Sequence, residues 1–345
     1  MMRANTSLSP PGLAFWVPLL LLLMLAVLPT VAEWMDQGFF ITLVARMLVY
    51  ALAAVALNLA LGYGGLVSFG HALFFGVGSY CVAIPAFYGI DAAWLHLLAC
   101  IVVCALLGAV TGMISLRTSG IAFIMITLAF AQMGYFVFVS LKNYGGDDGM
   151  TITALSRLGP LDLGDLKTLY YCAFVLLCLA LLAMWRIRTA PFGMVLRGAR
   201  QNLRRVHALG FAAQRYQLAA YVISAVLCGV AGVLFANLNA FASPSSLAWS
   251  VSGDLIVMVV LGGMGSVAGP LLGALAFLGM EEFLKSWTDH WAVVFGPMIV
   301  LIALTGRAGI AGVLARLDQL RSRAVPAEAQ HRPAVPARGL QEESQ

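Results

Sequence analysis

Asn58-Leu-Ala-Leu-Gly-Tyr-Gly-Gly-Leu-Val-Ser-Phe-Gly-His-Ala-Leu-Phe-Phe-Gly-Val-Gly-Ser-Tyr80 is apolar enough for a bilayer, yet it carries glycines at 62, 64, 65, 70, 76 and 78. Glycine opens a helix and lets neighbouring backbones approach closely. Ser68 and His71 add polar groups at a depth where each must find a partner or a water-filled cavity. A lipid-facing anchor has no use for such a segment. A protein that moves something through a membrane does.

The surrounding chain agrees. Of 345 residues, 61% are hydrophobic and 10% charged, with a mean hydropathy of +0.93. A soluble domain carries about a quarter charged residues, so the chain reads as a polytopic membrane protein. The formal charge of +5 does not indicate nucleic acid, because the basic residues gather in one loop (186–215) and in the tail, with no basic face of interleaved aromatics. The cysteines at 81, 100, 104, 172, 178 and 228 all lie in apolar runs without a Cys-x-x-Cys, which points to neither a zinc site nor a disulfide framework. Cys100 and Cys104, at i and i+4, share a helix face as small packing residues.

Apolar runs suggest about ten spans, at 13–32, 39–60, 65–88, 93–115, 120–141, 169–187, 217–240, 252–266, 268–286 and 291–311. The length of the first favours a retained helix over the competing reading, a cleaved signal peptide. The pair at 252–286 is short and interrupted by Gly262, Gly263, Gly265 and Gly269, so it reads either as two spans or as one broken re-entrant unit. With ten spans, one side carries Arg3, Arg117, the arginines of 186–215 and those from Arg307 onward, whereas the other carries Asp91, Asp147, Asp148, Asp162, Asp165 and Asp289. An arginine-rich side is cytoplasmic. The expected architecture is therefore an all-α polytopic membrane protein with glycine-broken helices and both termini in the cytoplasm. Its parts are a head (1–12), a transmembrane domain (13–312) and a cytoplasmic tail (313–345), mostly disordered by its Ala, Pro, Arg and Glu content.

Two loops stand out. Residues 142–168, on the acidic side, contain Tyr144-Gly-Gly-Asp-Asp-Gly-Met150 and read either as a surface that receives a substrate or partner, or as a solvated connection. Residues 189–210 read as an amphipathic helix. Thr189 serves as cap, Pro191 as first residue and Gly210 as stop. Arg197, Arg200, Arg204 and Arg205 share one arc, opposite Leu196, Ala199, Leu203, Val206 and Leu209. Such a helix is held by anionic lipid or docks a cytoplasmic partner. An internal echo links Leu61-Gly62-x-x-Gly65-x-Val67 to Leu261-Gly262-x-x-Gly265-x-Val267, read either as a parallel repeat or as chance in a glycine-rich chain.

Energy coupling within the chain is nearly excluded. A phosphate-binding loop needs Gly-Lys before Ser or Thr, and Lys142, Lys167 and Lys285 each follow a leucine. Ion coupling needs ionisable groups within the spans. The few available are Arg46, His71, Asp254, Glu281 and Glu282, and Glu281 pairs most simply with Lys285 at i+4. No catalytic or metal-binding constellation is present in the sequence.

The opening stretch closely resembles the signature of bacterial permease subunits of branched-chain amino-acid ABC importers. Leu116–Gln132, Gly145-Gly-Asp-Asp-Gly149 and Met258–Ala274 resemble further motifs of that family in the same order, over about residues 40–312. The first two of these point to the larger, M-type subunit. The resemblance implies an inner-membrane importer carrying leucine, isoleucine or valine. Its partners are a second permease (H-type), two cytoplasmic ATP-binding subunits, a periplasmic substrate-binding protein and membrane lipid. ATP and Mg reside in the ATPase subunits and no cofactor in this chain. It makes 197–210 the coupling helix, with Arg197, Arg200, Asn202, Arg204, Arg205 and Gly210 at the ATPase. The Arg-Gly-Ala at 197–199 departs from the usual Glu-Ala-Ala of ABC permeases. Path or hinge residues would be Asn58, Gly62, Gly64, Gly65, Ser68, His71, Thr127, Gln132, Asp254, Gly262, Gly263, Gly265 and Gly269. Rival readings are a permease of the same superfamily for urea, short amides or sugars, an ion-coupled secondary transporter, and a membrane enzyme.

Overall fold

In lipid every backbone polar group must be satisfied within the chain, so the apolar runs become helices. The computed structural model describes residues 13–34, 38–159, 161–305 and 309–323; the expected head and the tail from 324 lie outside them. The helices are α1 (Leu13–Trp34), α2 (Gly38–Asn58), α3 (His71–Phe87), α4 (Ala93–Ser115), α5 (Ile121–Ser140), α6 (Leu166–Thr189), α7 (Pro191–Gln201), α8 (Leu203–Ala208), α9 (Ala213–Asn239), α10 (Trp249–Gly262), α11 (Gly269–Trp287), α12 (Trp291–Thr305) and α13 (Gly309–Arg323). Every expected span overlaps one of them, and the last, 291–311, takes in α12, the undescribed residues 306–308 and the start of α13. By length and composition, five apolar helical stretches are long enough to cross a membrane: 38–63, 93–115, 121–140, 166–189 and 213–239.

Helix α9 is the central post, packed against α2, α3 and α4. Glycine makes this possible. A Cβ on Gly232 would strike the Phe75 carbonyl, and one on Gly78 the Gly229 carbonyl. Cys100 and Cys104 press their sulfurs toward Gly229, in the packing role expected of them. Glu281 and Lys285 pair at 2.5 Å, as the i, i+4 spacing suggests.

Several boundaries differ from the sequence expectation, each for a local reason. The second span does not stop near 60. Its helix widens into a π turn over Leu59–Tyr63, and residues 64–70 then run without helix until α3 begins at His71 rather than at 65. The helix expected across 189–210 is two helices. Asn202 leaves helical geometry (φ −157°, ψ 100°) and its side chain accepts from the Arg205 N–H at 3.1 Å, capping α8. Leu203 and Leu209, placed on the buried arc, are consequently 39% and 69% exposed, whereas Leu196, Ala199 and Val206 are buried. Thr189 does not cap α7. Its hydroxyl donates back to the Trp185 and Arg186 carbonyls at the end of α6. The tail boundary at 312 falls inside α13, which packs against α1, α10 and α11.

The 252–286 pair resolves into two helices joined by a glycine turn. At 14 residues, α10 is about 21 Å long, short of the ~30 Å hydrocarbon core. Its second turn lies level with the start of α3, where the Ala72 N–H donates to Ser252 Oγ at 2.7 Å. Four short strands complete the fold: β1 (Met150–Thr151), β2 (Arg157–Leu158), β3 (Leu161–Asp162) and β4 (Phe241–Ala242). Antiparallel pairing of β1 with β4 ties the Gly-Gly-Asp-Asp-Gly loop to the segment ahead of α10. Tyr144 and Tyr88 share a hydroxyl–hydroxyl bond of 2.9 Å at the same end, which pushes the Tyr144 phenol above its ordinary pKa.

Candidate functional site

The two Leu-Gly-x-x-Gly-x-Val segments, 200 positions apart in the chain, meet at the end of the bundle that carries α7 and α8. Both place a glycine in the left-handed region at the same motif position, Gly65 (φ +70°) and Gly265 (φ +78°), and the second adds Gly263 (φ +115°) where the first has Tyr63 in its π turn. Asn58, fully buried at the last position of α2, bridges them. Its amide donates to the Ser266 carbonyl at 2.8 Å and its carbonyl oxygen accepts from the Gly265 N–H at 3.0 Å. A Cβ on Gly62 would overlap the Asn58 carboxamide oxygen and stand 2.6 Å from the Gly265 nitrogen. Contact this close requires glycine.

The junction is wired to the arginine-rich helices. Beyond the π turn, the N–H groups of Gly64, Gly65 and Leu66 go to the carbonyls of Leu59, Leu61 and Ala60. The Gly62 carbonyl receives the guanidinium of Arg200 instead. The Arg200 stem lies against Gly65, where a Cβ would be 2.8 Å from its Cγ. A charged donor on a backbone carbonyl makes one of the stronger hydrogen bonds. Beside this contact a cavity of about 550 Å³ opens between residues 61–67, the 116–124 turn and α7–α8, with Thr118, Phe123 and Arg200 on its wall.

The expected arginine arc therefore divides. All four arginines are exposed, but the Arg200 guanidinium reaches the Gly62 carbonyl and Arg197 folds back onto the Arg188 carbonyl (3.0 Å) and the Gly193 carbonyl (3.3 Å). Asn202 caps α8 and Gly210 (φ +85°) ends the unit. Gly263 packs against Gly309, while Gly262 and Gly269 approach across the α10–α11 crossing.

The remaining expected residues lie elsewhere. Ser68 accepts from the Gly70 N–H, and Thr127 accepts from the Phe69 N–H while donating to the Ile124 carbonyl, so both shape the 64–70 run. His71 is fully buried. The Ser224 hydroxyl donates to the Ala56 carbonyl at 2.5 Å, so His71 Nε2 is the donor in its 2.8 Å bond to Ser224 Oγ. Gln132 is half-buried on α5, and Asp254 is exposed on α10, away from the junction. Ser224, Ser252 and Ser266, which hold these elements together, carried no signal in the sequence, being small residues in apolar or glycine-rich runs. Among the described residues no cluster of three or more His, Cys, Asp and Glu is placed to hold a metal.

Residues 39–304 match the family described as branched-chain amino acid transport system / permease component. The chain is 26% identical over 316 residues to the high-affinity branched-chain amino acid transport system permease protein LivM of Escherichia coli K12, covering 84% of this chain and 74% of that one. It is 28% identical to the permease protein LivH of Salmonella typhimurium over 285 residues (76% and 91%). It is also 24% identical to a probable LivM of Methanocaldococcus jannaschii over 277 residues (68% and 78%). No solved structure matches the chain.

Proposed function

Since the chain belongs to the family of branched-chain amino acid transport permease components, we propose that α7 and α8 are the lever by which a cytoplasmic ATPase drives its membrane bundle. The chain is a multi-pass permease of the M type, a transport subunit and not itself an enzyme, and it contributes to the path of an importer for branched-chain amino acids. A second permease of the H type stands beside it, as the likeness to both LivM and LivH supports. On this reading it lies in a bacterial inner membrane with its arginine-rich end in the cytoplasm. Two ATPase subunits, which hold ATP and Mg, engage Arg204 and Arg205, and a periplasmic binding protein delivers substrate at the acidic end.

The observation that carries the lever reading is the bond from Arg200 to the Gly62 carbonyl. ATP-driven closure of the ATPases displaces α7, Arg200 transmits the displacement to the first glycine turn, and Asn58 passes it to the second. Such coupling has a definite requirement: closure must favour one arrangement of the bundle over the other by its differential contacts. The glycine turns supply the bend, because their backbones have no Cβ to obstruct a second arrangement.

Two variants separate docking from transmission. Arg204→Glu with Arg205→Glu should abolish co-purification of the ATPases while leaving the permease in the membrane. Arg200→Ala should retain the ATPases and their ATP hydrolysis but lose amino-acid uptake in proteoliposomes. Unchanged co-purification of the double variant would remove the docking role, and full uptake by Arg200→Ala would remove the lever.

A further inference from the structure

At the acidic end of the bundle, a crevice of about 260 Å³ opens among α2, α3, α9 and the segment 241–251. Three rings form one wall. Tyr50 lies 5.6 Å from Phe75 and 5.7 Å from Phe235, and Phe75 lies 5.0 Å from Phe235. Across from them stand Asn239, Ser243 and Ser245, with Phe241 at the rim. The Ser243 oxygen accepts from the Ser245 hydroxyl at 3.0 Å and from its N–H at 3.3 Å, which leaves the Ser243 proton for an outside acceptor.

The depth of this crevice is informative. Leu247, at the end of the dipping segment, seats against Gly76 and Gly134, both inside apolar helices. Non-helical backbone at membrane depth is tolerated where it is buried in protein or lines a water-filled cavity. Charge of both signs flanks the aromatic wall. The Arg46 guanidinium sits over the Tyr50 ring at 5.8 Å from its centroid, and Asp254 and Glu281 are close enough to act electrostatically on Tyr50. Glu281 is neutralised by Lys285, so Arg46, over the Tyr50 ring, and Asp254 remain as a cation and an anion outside the lining of the site. The strand pairing of Met150–Thr151 with Phe241–Ala242 fixes the rim to the Gly-Gly-Asp-Asp-Gly loop.

We propose that this crevice is a waiting site for a zwitterionic amino acid with an aliphatic side chain, entered before the path through the bundle. The branched side chain packs on Tyr50, Phe75 and Phe235, and the polar end meets Ser243, Ser245 and Asn239 in the field of Arg46 and Asp254. An amino acid with a charged side chain would bring an uncompensated charge against the rings, at a desolvation cost. The assignment rests on the transport reading above.

The test uses the assembled importer in proteoliposomes, with this chain, its partner subunits and its binding protein. Uptake of valine, leucine and phenylalanine is compared for Phe235→Ala and Phe235→Trp, alongside subunit assembly and ATP hydrolysis. Enlarging the crevice should shift uptake toward phenylalanine, and filling it should lower leucine relative to valine, by about tenfold in each ratio, with assembly unchanged. If Phe235→Trp fails to assemble, Ser245→Trp at the exposed rim fills the same volume and should give the same shift. Wild-type ratios in assembled variants would overturn the crevice alone. A wild-type importer carrying none of the three would overturn the transport reading and the crevice together.

Discussion

The two glycine turns share a motif and one left-handed glycine but are held by different hydrogen bonds. The first, at 61–67, leaves seven residues (64–70) outside helix, and its Gly62 carbonyl is held by Arg200 from α7. The second, at 261–267, restarts a helix at Gly269, and its exposed N–H and carbonyl are both taken by Asn58 from the first. Arg200 therefore holds the first turn by its carbonyl and also passes beside Gly265 of the second, whose polar backbone is taken by Asn58. On the lever reading, the first turn receives a displacement and the second relays it, so that the turns act in series.

The sharpest way to break this comparison is to add one methyl group to each. Gly262→Ala drives a Cβ into the Gly269 carbonyl group, with the Gly273 nitrogen 3.0 Å away. All the obstructing atoms are backbone, and the expected loss is about 3 kcal/mol, read as a collapse in the melting temperature of the purified importer. Gly62→Ala should cost somewhat less, because only one of its obstructions, the Gly265 nitrogen at 2.6 Å, is backbone, the other being the Asn58 carboxamide. A larger loss at Gly62 would reverse the order and show the first turn to be the more rigid.

Asn58→Leu comes next. It removes both bonds between the turns and leaves a buried N–H and a buried carbonyl unpaired, at a cost of about 2 kcal/mol. Thermal unfolding should register that loss, and the ATP hydrolysed per amino acid imported should rise. Unchanged coupling would mean the turns do not act through Asn58. A milder probe is Arg200→Lys, which keeps the charge but loses the planar fork; uptake should fall about tenfold, equivalent to about 1.4 kcal/mol, at constant ATPase content. Smallest of all, Arg157→Met removes an exposed pair with Asp162 far from both turns, and less than about 1 kcal/mol of stability should follow. That variant is the control, since a large effect on coupling would place function outside the turns.

Much of this fold was legible in the sequence because lipid imposes helices on apolar runs, and each expected span found its helix. The glycines of both turns were legible too, since their density within an apolar run has few other uses. Direction was not. Arg200, Arg204 and Arg205 looked equivalent on one helical arc and all three are exposed, but Asn202 breaks the helix between them, and the Arg200 guanidinium reaches the Gly62 carbonyl. Asn58 was expected in the path or hinge, yet nothing in its neighbourhood revealed a partner at Ser266. The crevice left no trace: Tyr50, Phe75 and Phe235 each read as one more apolar residue, and Ser243-Pro-Ser-Ser246 reads as a surface loop. Contacts spanning most of the chain brought them together.

The shortness of α10 bears on how the protein is made. At about 21 Å it cannot bridge the hydrocarbon core alone, so an insertion machinery that selects segments by length and apolarity has little reason to retain it. Its place must be secured by helices already in the bilayer. The strand partner of the segment ahead of it, Met150–Thr151, leaves the ribosome long before Phe241–Ala242, and α2 and α9 precede it as well. Synthesis thus prepares a socket before its plug arrives, and α10 enters the membrane as an act of folding rather than of translocation.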